Sequence, residues 1–367
     1  MSTEHGPGAA GKSILVIGPS WIGDMVMAQS LFRQLRAQHQ HLRLDVLAPA
    51  WSGPLLARMP EVDEALDLPF AHGEVNLRQR YRLARKLARQ HYDQAIILPN
   101  SFKSALLPWF AEIPQRTGWR GEMRGWILND CRQLDKKALP LMVQRFVALA
   151  SADGAVLPDP LPVPQLNISR AEVTQVLADS GLPCNKTSRI LVLCPGAEYG
   201  DAKQWPAEYY AAVAVDYLDK SAPGSTPPDP PWHVVLLGSA RDRGITDEIE
   251  QHLSPAQRIR CHNLAGRTSL GQAIDLMSTA SAVVSNDSGL MHIAAALHRP
   301  LVALYGSTSA EFTPPLSDRV ELLHTDIDCR PCFKRQCPYG HKRCLTELLP
   351  ARVLAALDRL QHTFLIS

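Results

Sequence analysis

The chain has 367 residues, 46% of them hydrophobic, 20% charged and 6% aromatic, a composition that excludes wholesale disorder and collagen-like repeats and leaves room for two domains. A net charge of +2 conceals an asymmetry: residues 1–150 hold 19 Lys and Arg against 13 Asp and Glu, and the remainder hold 19 against 23. Eight cysteines are too dilute here for a disulfide scaffold, and no segment approaches the roughly 18 uninterrupted apolar residues of a bilayer span.

Met1–Lys12 shows no basic stretch followed by an apolar run, so a cytoplasmic location is expected. Strands are predicted over Ser13–Gly18, Leu42–Ala48 and Ala95–Leu98, alternating with helices near 24–38, 77–91 and 101–112. This alternation is that of a parallel α/β sheet. In the second of these helices Leu77, Tyr81, Ala84, Leu87 and Ala88 fall on one face, and six basic residues between Arg78 and Arg89 mostly occupy the other. That basic face reads either as a solvated surface or as a site for an anionic partner.

A helix near 140–151 leads to Leu157–Pro164, whose four prolines break both helix and sheet and mark a linker. Ser169 with Glu172 forms a capping box, after which the alternation restarts with strands Arg189–Cys194, His233–Gly238, Ala282–Ser285 and Leu301–Tyr305. Ser221–Pro231, with five prolines, is expected as a surface loop. The expected domains are 1–165 and 166–345. A C-terminal segment, 346–367, belongs to a helix with its apolar face on Leu348, Val353, Ala356, Leu357 and Leu360, available to pack across the hinge.

Three loops carry candidate chemistry. Gly18-Pro19-Ser20-Trp21-Ile22-Gly23-Asp24 follows the first strand; its spacing matches neither the dinucleotide fingerprint nor a P-loop. Asp24 reads as a helix cap or, at a strand's C-terminal end, as a general base. Cys194 to Pro206 contains Lys203, a point charge suited to phosphate or a surface lysine laid on Trp205. Val284 to His292 breaks from strand to helix, and the first N–H groups of that helix suit a diphosphate. Its plain reading is a cap by Asp287 or Ser288 with His292 in the core. Gly238-Ser239 adds a small-residue turn at the same sheet edge.

Together Ile22-Gly23-Asp24, Lys203-Gln204-Trp205-Pro206, Asn263-Leu264-Ala265-Gly266 and Asn286-Asp287-Ser288-Gly289-Leu290-Met291-His292 resemble the ADP-heptose:lipopolysaccharide heptosyltransferases, glycosyltransferase family 9, over nearly the whole chain. Pro19-Ser20-Trp21, Leu98 to Ala105, Arg116 to Glu122 and Ala303-Leu304-Tyr305-Gly306 are similar to the heptosyltransferase II branch, which adds the second inner-core heptose. The resemblance implies a GT-B fold, two Rossmann-like domains facing across a cleft, the first holding acceptor and the second nucleotide sugar. It implies an inverting transfer from ADP-heptose that requires no metal, with Asp24 as base. The departing diphosphate needs cations and N–H donors. For these the resemblance points to Lys203, Ser288, Gly289 and Leu290, with Asp287 and His292 beside the donor and Gly238, Asn263, Leu264 and Gly266 as its adenosine-side wall.

The implied acceptor, a heptosyl-Kdo-lipid A, is anionic and membrane-anchored. Gly23, Lys103, Arg120 and Arg124 are the residues expected to hold it, with peripheral contact at the cytoplasmic face of the inner membrane. Cys329, Cys332, Cys337 and Cys344 stand outside this reading. Four thiols in sixteen residues leave structural zinc, disulfides or free cysteines open. The rivals are heptosyltransferase I, acting on Kdo, and a GT-B nucleotide-sugar epimerase or hydrolase. A polyanion-binding protein is disfavoured, since no basic stripe interleaved with exposed aromatics and no nucleic-acid module is visible.

Overall fold

A computed structural model describes residues 11–70, 76–183, 188–220 and 230–364. Most of the Ser221–Pro231 loop and nearly all of Met1–Lys12 lie outside the described residues. The chain divides into two compact units, Met1–Val163 and Pro164–Ser367. The first runs β1 (Ser13–Ile17), α1 (Ile22–Gln38), β2 (Arg43–Ala48), α2 (Gly53–Leu56), β3 (Glu64–Asp67), α3 (Leu77–Ala88), β4 (Gln94–Ile97), α4 (Phe102–Phe110), β5 (Gln115–Trp119), β6 (Asp130–Arg132) and α5 (Met142–Val147). The second runs α6 (Arg170–Asp179), β7 (Arg189–Cys194), α7 (Ala207–Asp219), β8 (Trp232–Leu236), α8 (Arg243–Gln251), α9 (Pro255–Arg258), β9 (Cys261–Asn263), α10 (Leu270–Ser278), β10 (Ala282–Asn286), α11 (Gly289–Ala296), β11 (Leu301–Leu304), β12 (Val320–Leu323), α12 (Arg343–Thr346) and α13 (Pro350–Phe364).

Each unit is built on a six-stranded sheet, ordered β3-β2-β1-β4-β5-β6 in the first and β12-β11-β10-β7-β8-β9 in the second. All strand pairs are parallel, and the expected α/β class with two Rossmann-like units is observed. The central strands are continuous aliphatic runs because both their faces are covered, which is why Ile14–Ile17 and Leu191–Cys194 are buried throughout. Strand order reverses between β1 and β4 in one sheet and between β7 and β10 in the other. Such reversals open a crevice at the strands' C-terminal ends, where α/β sheets bind ligands.

The structure departs from the sequence reading at two helices. Leu77 and Tyr81 are 54% and 52% exposed instead of joining Ala84 and Leu87 inside, while Arg80 is buried with its guanidinium 4.3 Å from the centroid of Phe70. The helix has rotated its aliphatic-stemmed arginine inward, where a ring face accepts the cation. Val353, Ala356, Leu357 and Leu360 of α13 join the second unit's core, and α13 packs on α7, β11 and β12. The apolar face that the sequence offered to a hinge is therefore covered within the second unit itself.

His233 on β8 and His262 on β9 pair through Nδ1 and Nε2 at 3.2 Å. Desolvation, then His262 and Arg260, push His233 down to about 4, and His262 is lowered as well. Both imidazoles are thus neutral in the fold at pH values where the unfolded chain would protonate them. Stability is expected to be full above the unfolded histidine value near 6.5 and to fall as pH drops toward 4. His233→Gln should flatten that part of a pH series of urea unfolding curves.

Candidate active site

In the first unit, Asp24 is the third residue of α1 and is half-buried. The N-cap is Trp21, whose carbonyl accepts Met25 N at 2.9 Å, so Asp24 is not the N-cap residue. It lies in the first turn, where the helix dipole favours a carboxylate. Gly18 before it packs closely: a Cβ there would meet Ala48 Cβ at 3.2 Å and Val46 Cγ1 at 3.3 Å and would displace the end of the Met25 side chain. Lys103 in the first turn of α4 and Arg120 just beyond β5 also follow strand C-termini, those of β4 and β5, so they share the sheet edge with Gly23 and Asp24.

Arg124 does not serve as an acceptor fork. It is fully buried, and its guanidinium donates to Pro99 O, to Trp119 O at 2.7 Å, to Asn100 Oδ1 at 3.0 Å and to Ser104 Oγ at 3.2 Å. Burial pushes it down to about 10, which still leaves it charged at neutral pH. Its donors tie the loop after β4 to the loop after β5, making it a positioning residue for the segment that carries Lys103 and Arg120.

In the second unit the structure gathers Lys203, Asp287 and His292. Lys203 Nζ lies 2.6 Å from Asp287 Oδ2 and 5.0 Å from the centroid of Tyr199. Thr308 Oγ1 donates to the same carboxylate oxygen at 2.5 Å. The Lys203 ammonium also donates to Asp287 O at 3.4 Å, so Lys203 is a paired cation with one donor left, where the sequence offered a lone charge. His292 is 5% exposed; desolvation lowers it to about 4, Asp287 opposes that shift and Lys203 reinforces it, leaving a neutral ring.

Beside this cluster α11 starts at Gly289 with N-cap Ser288 in extended conformation and no side-chain cap hydrogen bond. Ser288, Gly289 and Leu290 are partly accessible, whereas the helix is buried from Met291 on. The first N–H groups of α11 thus have neither intrahelical partners nor a cap, an arrangement that receives oxyanions.

Three residues to which the sequence reading gave no role organise this edge. Asn286 is fully buried; its Oδ1 accepts Trp205 N at 3.2 Å and Tyr210 Oη at 3.0 Å, and its Nδ2 donates to Pro195 O at 2.7 Å. It pins the Lys203 loop to β10, and its place immediately before Asp287 was the available signal. Thr308, in a run of three hydroxyl residues after β11, had no comparable signal. Asp242 Oδ2 accepts Ser239 N and Ser239 Oγ, both at 2.8 Å, and its carboxylate occupies the space that a Cβ on Gly196 would need.

Gly266 N donates to Gly238 O at 3.0 Å, which joins the loops after β8 and β9. Gly266 has φ +68° and a Cβ there would lie 2.7 Å from Ala240 Cα, so glycine is needed on both counts. Asn263 and Leu264 line a cavity of about 320 Å³ with Arg243, His262 and Arg267. The Asn263 amide nitrogen donates to Asp247 and Glu250 of α8, at 3.0 and 2.8 Å.

The cysteine loop packs against the Lys203 loop: Ala202 N donates to Arg335 O at 3.1 Å, Tyr199 Oη to Phe333 O at 2.8 Å, and Lys342 Nζ lies 2.8 Å from Asp201 Oδ2. Cys329, Cys332, Cys337 and Cys344 are free, and among the described residues no three His, Cys, Asp or Glu side chains are set to hold a metal ion. Zinc is thus not supported. The thiols answer to different surroundings. For Cys337 desolvation acts upward, but backbone N–H groups of Lys342, Tyr339, Gly340 and His341 together pull it below the usual thiol value. Burial, then the other three thiols, raises Cys344 to about 11.

Residues 80–343 match the model of glycosyltransferase family 9 (heptosyltransferase). The chain belongs to that family. It is 47% identical to lipopolysaccharide heptosyltransferase 2 of Salmonella typhimurium, over 95% of this chain and 98% of that protein. The solved structure of E. coli ADP-heptose lps heptosyltransferase II superposes with a TM-score of 0.84 at 45% identity, covering 96% of this chain and 99% of that one. Lipopolysaccharide heptosyltransferase 1 of Pseudomonas aeruginosa is 28% identical, over 94% and 97% of the two chains. This family 9 enzyme therefore has the GT-B class of fold expected from its sequence.

Removing either member of the Lys203–Asp287 pair leaves a buried, uncompensated charge, a change that costs about 3–5 kcal/mol in comparable settings. Lys203→Ala should lose about that much in denaturant unfolding, and the double variant Lys203→Met/Asp287→Asn should recover most of it. Additive losses would count against the pairing.

Proposed function

We propose that this enzyme transfers L-glycero-D-manno-heptose from ADP-heptose to the first heptose of the lipopolysaccharide inner core, acting as a heptosyltransferase II. The observation that carries the reading is the likeness, at 47% identity and nearly full length, to a relative named for that step. Chemically, an acceptor hydroxyl attacks the anomeric carbon while the C–O bond to the diphosphate breaks and ADP leaves from the opposite face. Asp24 takes the hydroxyl proton as general base. Negative charge collects on the departing diphosphate, and the groups matched to it are the α11 N–H groups at Ser288, Gly289 and Leu290 with the remaining donor of Lys203.

Asp287 holds Lys203 in register; its charge is offset by Lys203 and its Oδ2 also accepts a hydrogen bond from Thr308, which lessens its repulsion of the incoming anion. Because ammonium and helix N–H groups supply the compensating charge, transfer in this reading needs no divalent ion. Gly23, Lys103 and Arg120 face the acceptor, whose carboxylates and phosphates suit a lysine and an exposed guanidinium. Gly238, Asn263, Leu264 and Gly266 form the adenosine side. We place the enzyme in the cytoplasm, at the inner face of the inner membrane where such a glycolipid is anchored.

The test is transfer to two purified lipid A acceptors, one ending at Kdo and one already bearing a heptose, with EDTA present. Product only on the second, at an undiminished rate, is expected. Product on the first would indicate heptosyltransferase I, and ADP release without acceptor a hydrolase. Asp24→Ala should lower kcat about a hundredfold or more while leaving ADP affinity unchanged, read by steady-state kinetics and calorimetry.

A further inference from the structure

We propose that the outer surface of α3, α4 and the turn Arg124–Trp126 is a docking surface for an anionic phospholipid bilayer. The inference rests on the reading of the acceptor as a membrane-anchored glycolipid and adds the part of the protein that meets the lipid. No basic stripe with exposed aromatics is visible in the sequence, because its parts are up to fifty residues apart; the fold makes one by laying α3 beside α4.

The aromatic part is continuous. Tyr81 lies 5.7 Å from Phe110, Phe110 5.1 Å from Trp109, Trp109 5.7 Å from Trp126, and Trp126 6.0 Å from Phe102, all between ring centroids. Trp126 is 67% exposed, Trp109 39% and Met123, beside the turn, 87%. With the exposed Leu77 and Tyr81 these side chains make an apolar strip that gains nothing from water. Tryptophan and tyrosine are the residues that settle at the headgroup level of a bilayer, with an apolar ring body and a polar edge.

The charge part is equally one-sided. Residues 77–110 contain seven Lys and Arg against one acid, Asp93. Arg80 is turned inward, but Arg78, Arg82, Arg85, Lys86 and Arg89 of α3 and its C-terminal end are exposed. Arg85 also reaches Glu112 at 3.5 Å, a surface pair of little strength. Basic residues are drawn to an anionic leaflet, and one insertion signal alone gives weak, reversible binding, so the aromatic strip and the basic face are effective together. A single-stranded nucleic acid would also seek arginines and rings. Yet Trp109 and Trp126 stand edge to face, at 80°, so their ring planes do not line up as successive stacking platforms for bases.

The experiment is co-sedimentation of the full chain with vesicles of phosphatidylglycerol or of phosphatidylcholine, neither containing acceptor. Binding to phosphatidylglycerol that weakens with salt, with tryptophan emission shifted to shorter wavelength, is expected. Trp109→Ser/Trp126→Ser and Arg78→Gln/Arg82→Gln/Arg89→Gln should each lower the partition coefficient about tenfold or more, while turnover on a soluble, deacylated acceptor stays at the parent value. Equal binding to both lipids, unchanged binding by either variant, or no binding at all would overturn the docking surface. So would a shift from dimer to monomer in the tryptophan variant, or preferential capture of an oligonucleotide. Transfer to soluble acceptor without vesicle binding defeats this inference alone; vesicle binding without transfer defeats the proposed activity and sustains the surface.

Discussion

Every strand in both sheets runs parallel to its neighbours, and this constraint decides where chemistry can sit in each unit. Parallel strands deliver all their C-termini to one edge, so loops far apart in sequence emerge side by side. In the first unit this brings the turn holding Gly23 and Asp24 beside the loops carrying Lys103 and Arg120. In the second it brings the Lys203 loop, Gly238, Asp287 and the start of α11 to one edge. A further consequence is burial of the central strands on both faces, which allows an amide such as Asn286 to form three hydrogen bonds away from water and fix the loop geometry.

The electrostatics of the second unit's edge follow from that burial. Pairing with Asp287 at 2.6 Å fixes the position of Lys203 and gives its buried charge a partner. The paired charges lie beside the start of α11, whose N-cap makes no side-chain hydrogen bond. His292, neutral and buried among these charges, fills space without adding to the field. Arg124 in the first unit solves a different problem. Its planar donors satisfy carbonyl oxygens of two loops, and the burial that makes this strong removes it from any acceptor.

The strands legible in the sequence were those with continuous aliphatic runs, β1, β2, β4, β7, β8, β10 and β11. Those passed over, β3, β5, β6, β9 and β12, are short, or polar like Gln115–Trp119, or lie at sheet edges where side chains need not be apolar. The N-cap at Ser169 was read correctly, with Ser169 Oγ accepting Glu172 N at 3.5 Å, because capping is a local interaction between residues three apart. Which face of α3 turns inward was not local. The cation–ring contact with Phe70 and the packing against α4 decided it.

By itself the sequence determined the fold class and the family, because aliphatic periodicity, glycine turns and motif residues act over a few positions. Only the tertiary structure decided what each charge does. Whether a lysine is paired, an arginine exhausted on backbone carbonyls or a basic helix laid beside exposed tryptophans depends on distances between groups tens of residues apart. Coulomb attraction, desolvation and hydrogen bonding are set by those distances and by burial, and neither is a property of chain position.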